Sequence, residues 1–198
     1  MTLARRLRHP LARLAAAFRN DRCGTSAIEF ALLLPVILTV YIAGTEISNA
    51  IAIDRKVTLT ARTVTDLVSR ASSISTGDME DVLIASAAVI SPYVPNYLSF
   101  TVSEVYIDNN GNAKVWGFSC SYQGTPRNIG DPVTLPPQLT VNNSYLIWGE
   151  AQYSYTPPIA YVISGTLNLA DQIFMSPRMS SSVTGPPSCP GTFTPPPC

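Results

Sequence analysis

Histidine is nearly absent. The 198-residue chain has one, His9, close to its start. The rest of the chain therefore cannot supply a Ser-His-Asp triad, a Cys-His pair or a histidine-containing zinc site. No Gly-rich phosphate loop occurs. The four cysteines, Cys23, Cys120, Cys189 and Cys198, are not in CxxC spacing. The acids are scattered, and nothing points to a paired-carboxylate hydrolase. No catalytic residues, cofactor or metal ligands are expected, and an exported enzyme or ligand-binding domain is the weakest of the readings weighed below.

Charge is scarce as well, at 13% of residues, and it is unevenly placed. Residues 1–24 hold six arginines and one acid, Asp21. Residues 25–198 hold seven Lys/Arg and twelve Asp/Glu. A basic stub ahead of an apolar stretch fits the positive-inside rule. The acidic remainder argues against nucleic acid, whose phosphates require a positive face.

What the chain does have is a long apolar run. Phe30 to Gly44 is fifteen residues without a charge, and the apolar character resumes through Ile47, Ala50, Ile51 and Ile53. From Thr25 to Ala52 the stretch is long enough for a helix to cross ~30 Å of hydrocarbon. Pro35 within it is tolerable in a membrane helix. The span has an acid near each end, Glu29 and Glu46. Glu46 is read as sitting at the interface opposite Glu29 rather than in a buried polar contact. A removable signal peptide would need a small-residue cleavage site after the apolar core, and Glu46 sits badly beside the candidates Gly44 and Ser48. Ahead of the span, Leu3, Leu7, Leu11, Leu14 and Phe18 fall at helical spacing. That fits a short amphipathic helix on the inner leaflet or a solvated leader equally well.

The helical pattern continues past the span. Ile53, Val57, Ala61, Val64 and Leu67/Val68 recur at steps of three and four, with no Gly or Pro from Thr45 to Ser75. The pattern predicts one helix of about 45 residues that starts in the membrane and ends in a soluble domain. A second helix is expected over Asp78–Ile90, its acids in the first turn and Pro92 beyond its end. A hairpin follows. Leu98, Phe100 and Val102 alternate with polar residues, Asp108-Asn109-Asn110-Gly111 is a turn signal, and Trp116, Phe118, Cys120 and Tyr122 share a side. Gly124–Pro137 reads as a loop, Ser144–Thr156 as a third strand, Ala160–Ile163 as a short helix and Gly165–Ile173 as an edge strand. Ser180–Cys198 is Pro-rich and is expected not to pack. Cys189 and Cys198 flank a Pro-rich loop and form the easiest disulfide to close, with Cys120 paired to either as the alternative. Asn142-Asn143-Ser144 matches a glycosylation sequon by pattern alone.

Gly24-Thr25-Ser26-Ala27-Ile28-Glu29-Phe30 resembles the processing site of type IV prepilins, a glycine followed five residues later by glutamate. Together with Asp21-Arg22-Cys23-Gly24 and AIEFALLLPVIL, it is similar to the TadE-like family of minor pilins in Tad (Flp) pili. Glu150–Pro157 looks like that family's late strand and Ser176-Pro177-Arg178 like its closing Pro-Arg. Cys23 departs from the family, which more often has Arg there. A lipoprotein role for Cys23 fails because charged residues precede it.

The resemblance implies an α+β, pilin-like fold: a long N-terminal transmembrane helix continuing into a small head with a second helix and an antiparallel sheet of about three to four strands. The implied organisation is a cleaved leader at 1–24, a span at 25–53, a periplasmic head at 54–178 and a tail at 179–198. A prepilin peptidase would cut after Gly24 and expose the amine of Thr25. Glu29, beside Phe30, would pair with that amine or with one from a neighbouring subunit, whereas in an uncleaved anchor it would snorkel to the interface. The implied partners are other pilins, Tad assembly proteins, the prepilin peptidase and the lipid bilayer. The implied place is the bacterial inner membrane, N-terminus in the cytoplasm and head in the periplasm, with a surface pilus as a further destination. The rival of a different kind is an uncleaved single-pass periplasmic scaffold.

Overall fold

The computed structural model describes residues 23–158 and 164–189. The leader to Arg22, the short helix expected at 160–163 and the last residues of the tail lie outside the described residues. The chain divides into two compact units, the first ending at Thr45 and the second beginning at Glu46. One helix, α1 (Cys23–Ser69, 47 residues), contributes to both.

In the first unit α1 is apolar all round. Leu32, Val36, Val40 and Tyr41 are each at least 60% exposed. A helix of that kind belongs in lipid or among other helices. Its length and composition are sufficient to cross a membrane, and the apolar window is wholly unburied. Pro35 lies inside it without ending it, and the Thr39 hydroxyl donates to the Pro35 carbonyl at 2.7 Å.

In the second unit the same helix changes character. Ile53, Val57, Ala61, Val64 and Val68 are all buried at steps of four, four, three and four, the spacing of one helix face. Leu67 stays 43% exposed, so Val68 takes the inward position. The polar residues on the same face bond back to their own helix. Thr60 donates to Lys56 O at 2.9 Å, Thr65 to Ala61 O at 2.6 Å and Ser69 to Asp66 O at 2.9 Å. They are thereby buried without loss of partners. Ile53, read from sequence as the end of the span, belongs to the core of the head.

α2 (Thr76–Val89) starts at a capping box. The Asp78 N–H donates to Ser75 Oγ, and the Ser75 N–H donates to the Asp78 carboxylate, both at 3.2 Å. The Ser75 hydroxyl also donates to the Asp78 carboxylate at 2.7 Å, and that bond first, with the Ser75 N–H second, holds the Asp78 pKa below its usual value. Met79, Leu83 and Ile90 are buried, with Val82 and Ala87 packed against them.

The sheet has five antiparallel strands in the order β3-β2-β1-β4-β5. They are β1 (Leu98–Ile107), β2 (Ala113–Tyr122), β3 (Pro132–Val133), β4 (Ser144–Tyr155) and β5 (Leu167–Met175). This exceeds the three to four expected, because β3 is a two-residue strand inside the stretch read as a loop. The β1–β2 turn is the one anticipated. Asp108 Oδ1 accepts from the N–H groups of Asn110 and Asn112, each at 2.8 Å, and Gly111 takes a positive φ.

Both faces of the sheet carry core. Phe100, Val102, Phe118, Cys120, Tyr122, Ile147 and Ala151 form one cluster with α1 and α2. Val105, Ile107, Ala113, Val115, Leu146 and Trp148 form another with Val133, Leu135 and Leu139. Strand alternation assigns these two sets to opposite faces. α1 reaches the sheet at Gly149, where an added Cβ would meet Thr65 and the Ala61 carbonyl.

Residues 180–189, the described part of the segment expected not to pack, do pack. Ile74 donates to Thr184 O at 2.9 Å, and Thr184 donates to Ser72 O at 3.0 Å. Val183 is 1% exposed. The disulfide joins Cys120 to Cys189, Cα atoms 5.2 Å apart, and not Cys189 to Cys198. The short Pro-rich loop made the local pair look easy to close. The segment instead returns across β2, so the sulfur of Cys189 meets a strand residue 69 positions earlier.

Candidate functional site

The residues singled out for processing lie in the first turns of α1. Gly24 follows Cys23 at the helix start, and no atom lies within 4 Å of where its Cβ would stand. Thr25 and Glu29 are exposed, and Phe30 is 61% exposed. Four residues of separation sets Thr25 and Glu29 one above the other on the helix.

Glu46 differs from its reading as an interfacial acid. It is 2% exposed and belongs to the second unit. Its charge acts on Tyr155, whose phenol pKa is raised by burial first and by Glu46 second. The sequence could signal an acid at the edge of an apolar run, but not the strand residue it would meet.

Two of the clefts among the described residues of the head stand out, and the sequence announced neither. The larger, about 690 Å³, is polar, with Ser99, Thr101, Asp131 and Gln152 in its walls. Arg127 donates to Glu150 through Nε at 3.0 Å and Nη2 at 2.5 Å. Its guanidinium lies over Trp148, 4.5 Å from the ring centroid. Trp148 stacks on Phe174 and donates to Gln172 at 3.1 Å. Arg127 and Glu150 neutralise each other, while Asp131 and Asp171 also line the cleft. It offers a polar contact surface and pairs no nucleophile with a base.

The smaller cleft, about 390 Å³, is walled by Asn49, Tyr93, Tyr97, Tyr153 and Tyr155. Tyr93 and Tyr97 meet Tyr153 edge-on, ring centroids 6.5 and 6.2 Å away.

A buried carboxylate sits on β1. Glu104 is 2% exposed, and its pKa is raised by burial, with the Val183 N–H bond opposing that shift. Gly117, at φ +56°, leaves the space that Glu104 fills. Among the described residues no group of three or more His, Cys, Asp or Glu converges on a common point.

The apolar helix and its buried continuation are the part that comparison recognises. Residues 24–66 match the model of the TadE-like protein family. The matched segment begins at Gly24, takes in the whole apolar run and ends within the buried face of α1. It stops short of α2 and the sheet. The likenesses noted at Glu150–Pro157 and Ser176–Arg178 lie outside it. The match suggests a protein associated with a Tad pilus; the TadE-like family is a structural one. The apolar helix suggests anchoring in a membrane. No curated protein and no solved structure matches the chain.

Proposed function

We propose that this chain is a minor pilin or pseudopilin of a Tad-type pilus. A prepilin peptidase cuts it after Gly24, and the exposed apolar helix packs laterally with other pilin-like helices. The head lies in the periplasm and works by protein contact, priming or capping a pilus or linking it to the assembly machine for adhesion or secretion. The observation that carries this reading is α1 itself. One uninterrupted helix is apolar on every side over its first half and one-sided over its second, where it supplies the core of the head. Glu29 stands one turn from Thr25, the residue whose amine cleavage would free.

The test is the N-terminus of protein recovered from cells with and without the prepilin peptidase, read by mass spectrometry. Chains beginning at Thr25 only when the peptidase is present are the expected result. Chains beginning only at Met1 or Thr2 would overturn it. They would support the second reading, an uncleaved single-pass scaffold. One observation favours that rival: the Gly24–Thr25 bond lies inside α1, so a peptidase must first unwind the turn.

A further inference from the structure

The two helices that cover one face of the sheet carry opposite charge on their outer surfaces. α1 meets β4 at Gly149, and α2 packs over β1 and β2, so the helices lie side by side. They run antiparallel. Residues 70–75 join their near ends, and Lys56 Nζ donates to Val89 O at 3.4 Å across the far ends. On α1, Arg55, Leu59 and Arg62 follow at steps of four and three, on the side turned away from the buried Val57, Ala61 and Val64. All three are exposed, Leu59 by 48%. On α2 the outward line is Asp81, Ile84 and Ala88, with Glu80 beside Asp81. Ile84 is 40% exposed.

Each surface is thus an apolar side chain flanked by charge of one sign, and the signs are opposite. Of the seven Lys/Arg beyond residue 24, three fall within Arg55–Arg62, and α2 has none. Arg55, Arg62, Glu80 and Asp81 form no ion pair among the described residues. Asp66, one turn beyond Arg62, is already held by Arg70 and Arg178.

We infer that these surfaces dock on each other between two copies of the chain, α1 of one lying antiparallel on α2 of the other. A two-fold axis parallel to the helices makes that contact twice, as a symmetric dimer requires. Such an axis keeps every residue at its own level, and both helices rise equally per residue. The Lys56–Val89 bond sets the level. Three residues on, Leu59 is level with Ser86 and so fits between the outward Ile84 and Ala88 of the other copy. Arg62 is level with Leu83, within a side chain's reach of Asp81 and Glu80. Arg55 faces the end of α2, where the helix dipole favours a cation and α2 has no basic residue of its own. The inference deepens the reading of the head as a protein-contact subunit by naming a second copy as its partner, and it rests on that reading.

The test uses two differently tagged copies of the full chain in detergent micelles, one captured and the other quantified. Parent copies are expected to co-purify, and less so as added salt screens the exposed charges. Arg62→Glu in both copies, or Asp81→Arg in both, makes both crossings repulsive and is expected to lower capture on the order of tenfold. Pairing one copy that carries Arg62→Glu with one that carries Asp81→Arg sets opposite charges at both crossings again, and capture is expected to return close to the parent level. Recovery of that kind cannot come from variants that fail to fold. The apolar first unit is unchanged in every arm and contributes equally to each. No capture between parent copies, capture indifferent to either reversal, or no recovery in the mixed pair would each overturn the inference. The N-terminus left by the peptidase is read separately, so the pilin reading stands or falls by its own test.

Discussion

The backbone N–H of Val183 donates to Oε1 of Glu104 at 2.9 Å, a bond between residues 79 positions apart. Burial raises the pKa of this carboxyl above its ordinary 4.5. The folded chain therefore keeps a proton on Glu104 at a pH where the unfolded chain has lost it. Stability from this group is full below pH 4.5 and declines as pH rises through the raised pKa. Glu104→Gln keeps an acceptor for Val183 and removes the ionisation. Denaturation of the full chain between pH 4 and pH 8 should show a flatter stability profile for the variant, with equal or higher stability at neutral pH. An unchanged slope would show that Glu104 ionises as freely in the folded chain as in the unfolded one.

The Cys120–Cys189 bond closes a long loop and so constrains the unfolded chain strongly, by about 4 kcal/mol in the chain-entropy picture. Cys120→Ser and Cys189→Ser should each lower the thermal midpoint by a similar amount, and reductant should lower the parent to match. Cys198→Ser should leave the midpoint unchanged. A fall with Cys198→Ser and none with Cys120→Ser would restore the Cys189–Cys198 pairing.

At Gly149 the absence of a side chain leaves room for Thr65 of α1. Gly149→Ala forces a methyl against Thr65, whose hydroxyl is already tied to Ala61 O at 2.6 Å. Overpacking of this kind costs about 1–3 kcal/mol. Thr65→Ala in the same chain frees the space and should recover part of that loss, a coupling read from a double-mutant cycle. Strict additivity of the two changes would mean that α1 and β4 yield there without strain.

Glu29→Ala tests the assembly role of the exposed acid. The apolar run that drives membrane insertion is untouched, so fractionation should still recover the variant with membranes. Pilus numbers should fall. Unchanged pilus numbers would rule out the pairing of Glu29 with a freed amine.

Local pattern carried much of the fold. The period of Ile53, Val57, Ala61 and Val64 located the buried face of α1, Asp78 and its neighbours located α2 but placed its start two residues late, and Asp108–Gly111 fixed the hairpin. These features are written within a few residues of themselves. What was not legible depends on distant partners. Glu46 looks like an interfacial acid until Tyr155 is brought beside it. Cys189 looks free to reach Cys198 until the segment before it is seen lying against β2. β3 has only two residues, too few for alternation to register. The tyrosine cleft joins Asn49, the loop after α2 and β4, three places with no shared sequence signal. Gly24, Thr25, Glu29 and Phe30 were legible as a motif; their exposure is shared by the whole apolar run of α1 and does not bear on cleavage.

The segment that ends at Cys189 also orders events in time. Phe118 lies under Gly185, Glu104 receives Val183, and Ser72 receives Thr184, so three earlier parts of the head wait for the last described stretch of chain. During synthesis, which proceeds from the N-terminus, α1, α2 and the first hairpin exist before that stretch does. The head can therefore close only once residue 189 has emerged, and a ribosome stalled a few dozen codons earlier would leave a nascent chain with Phe118 and Cys120 uncovered.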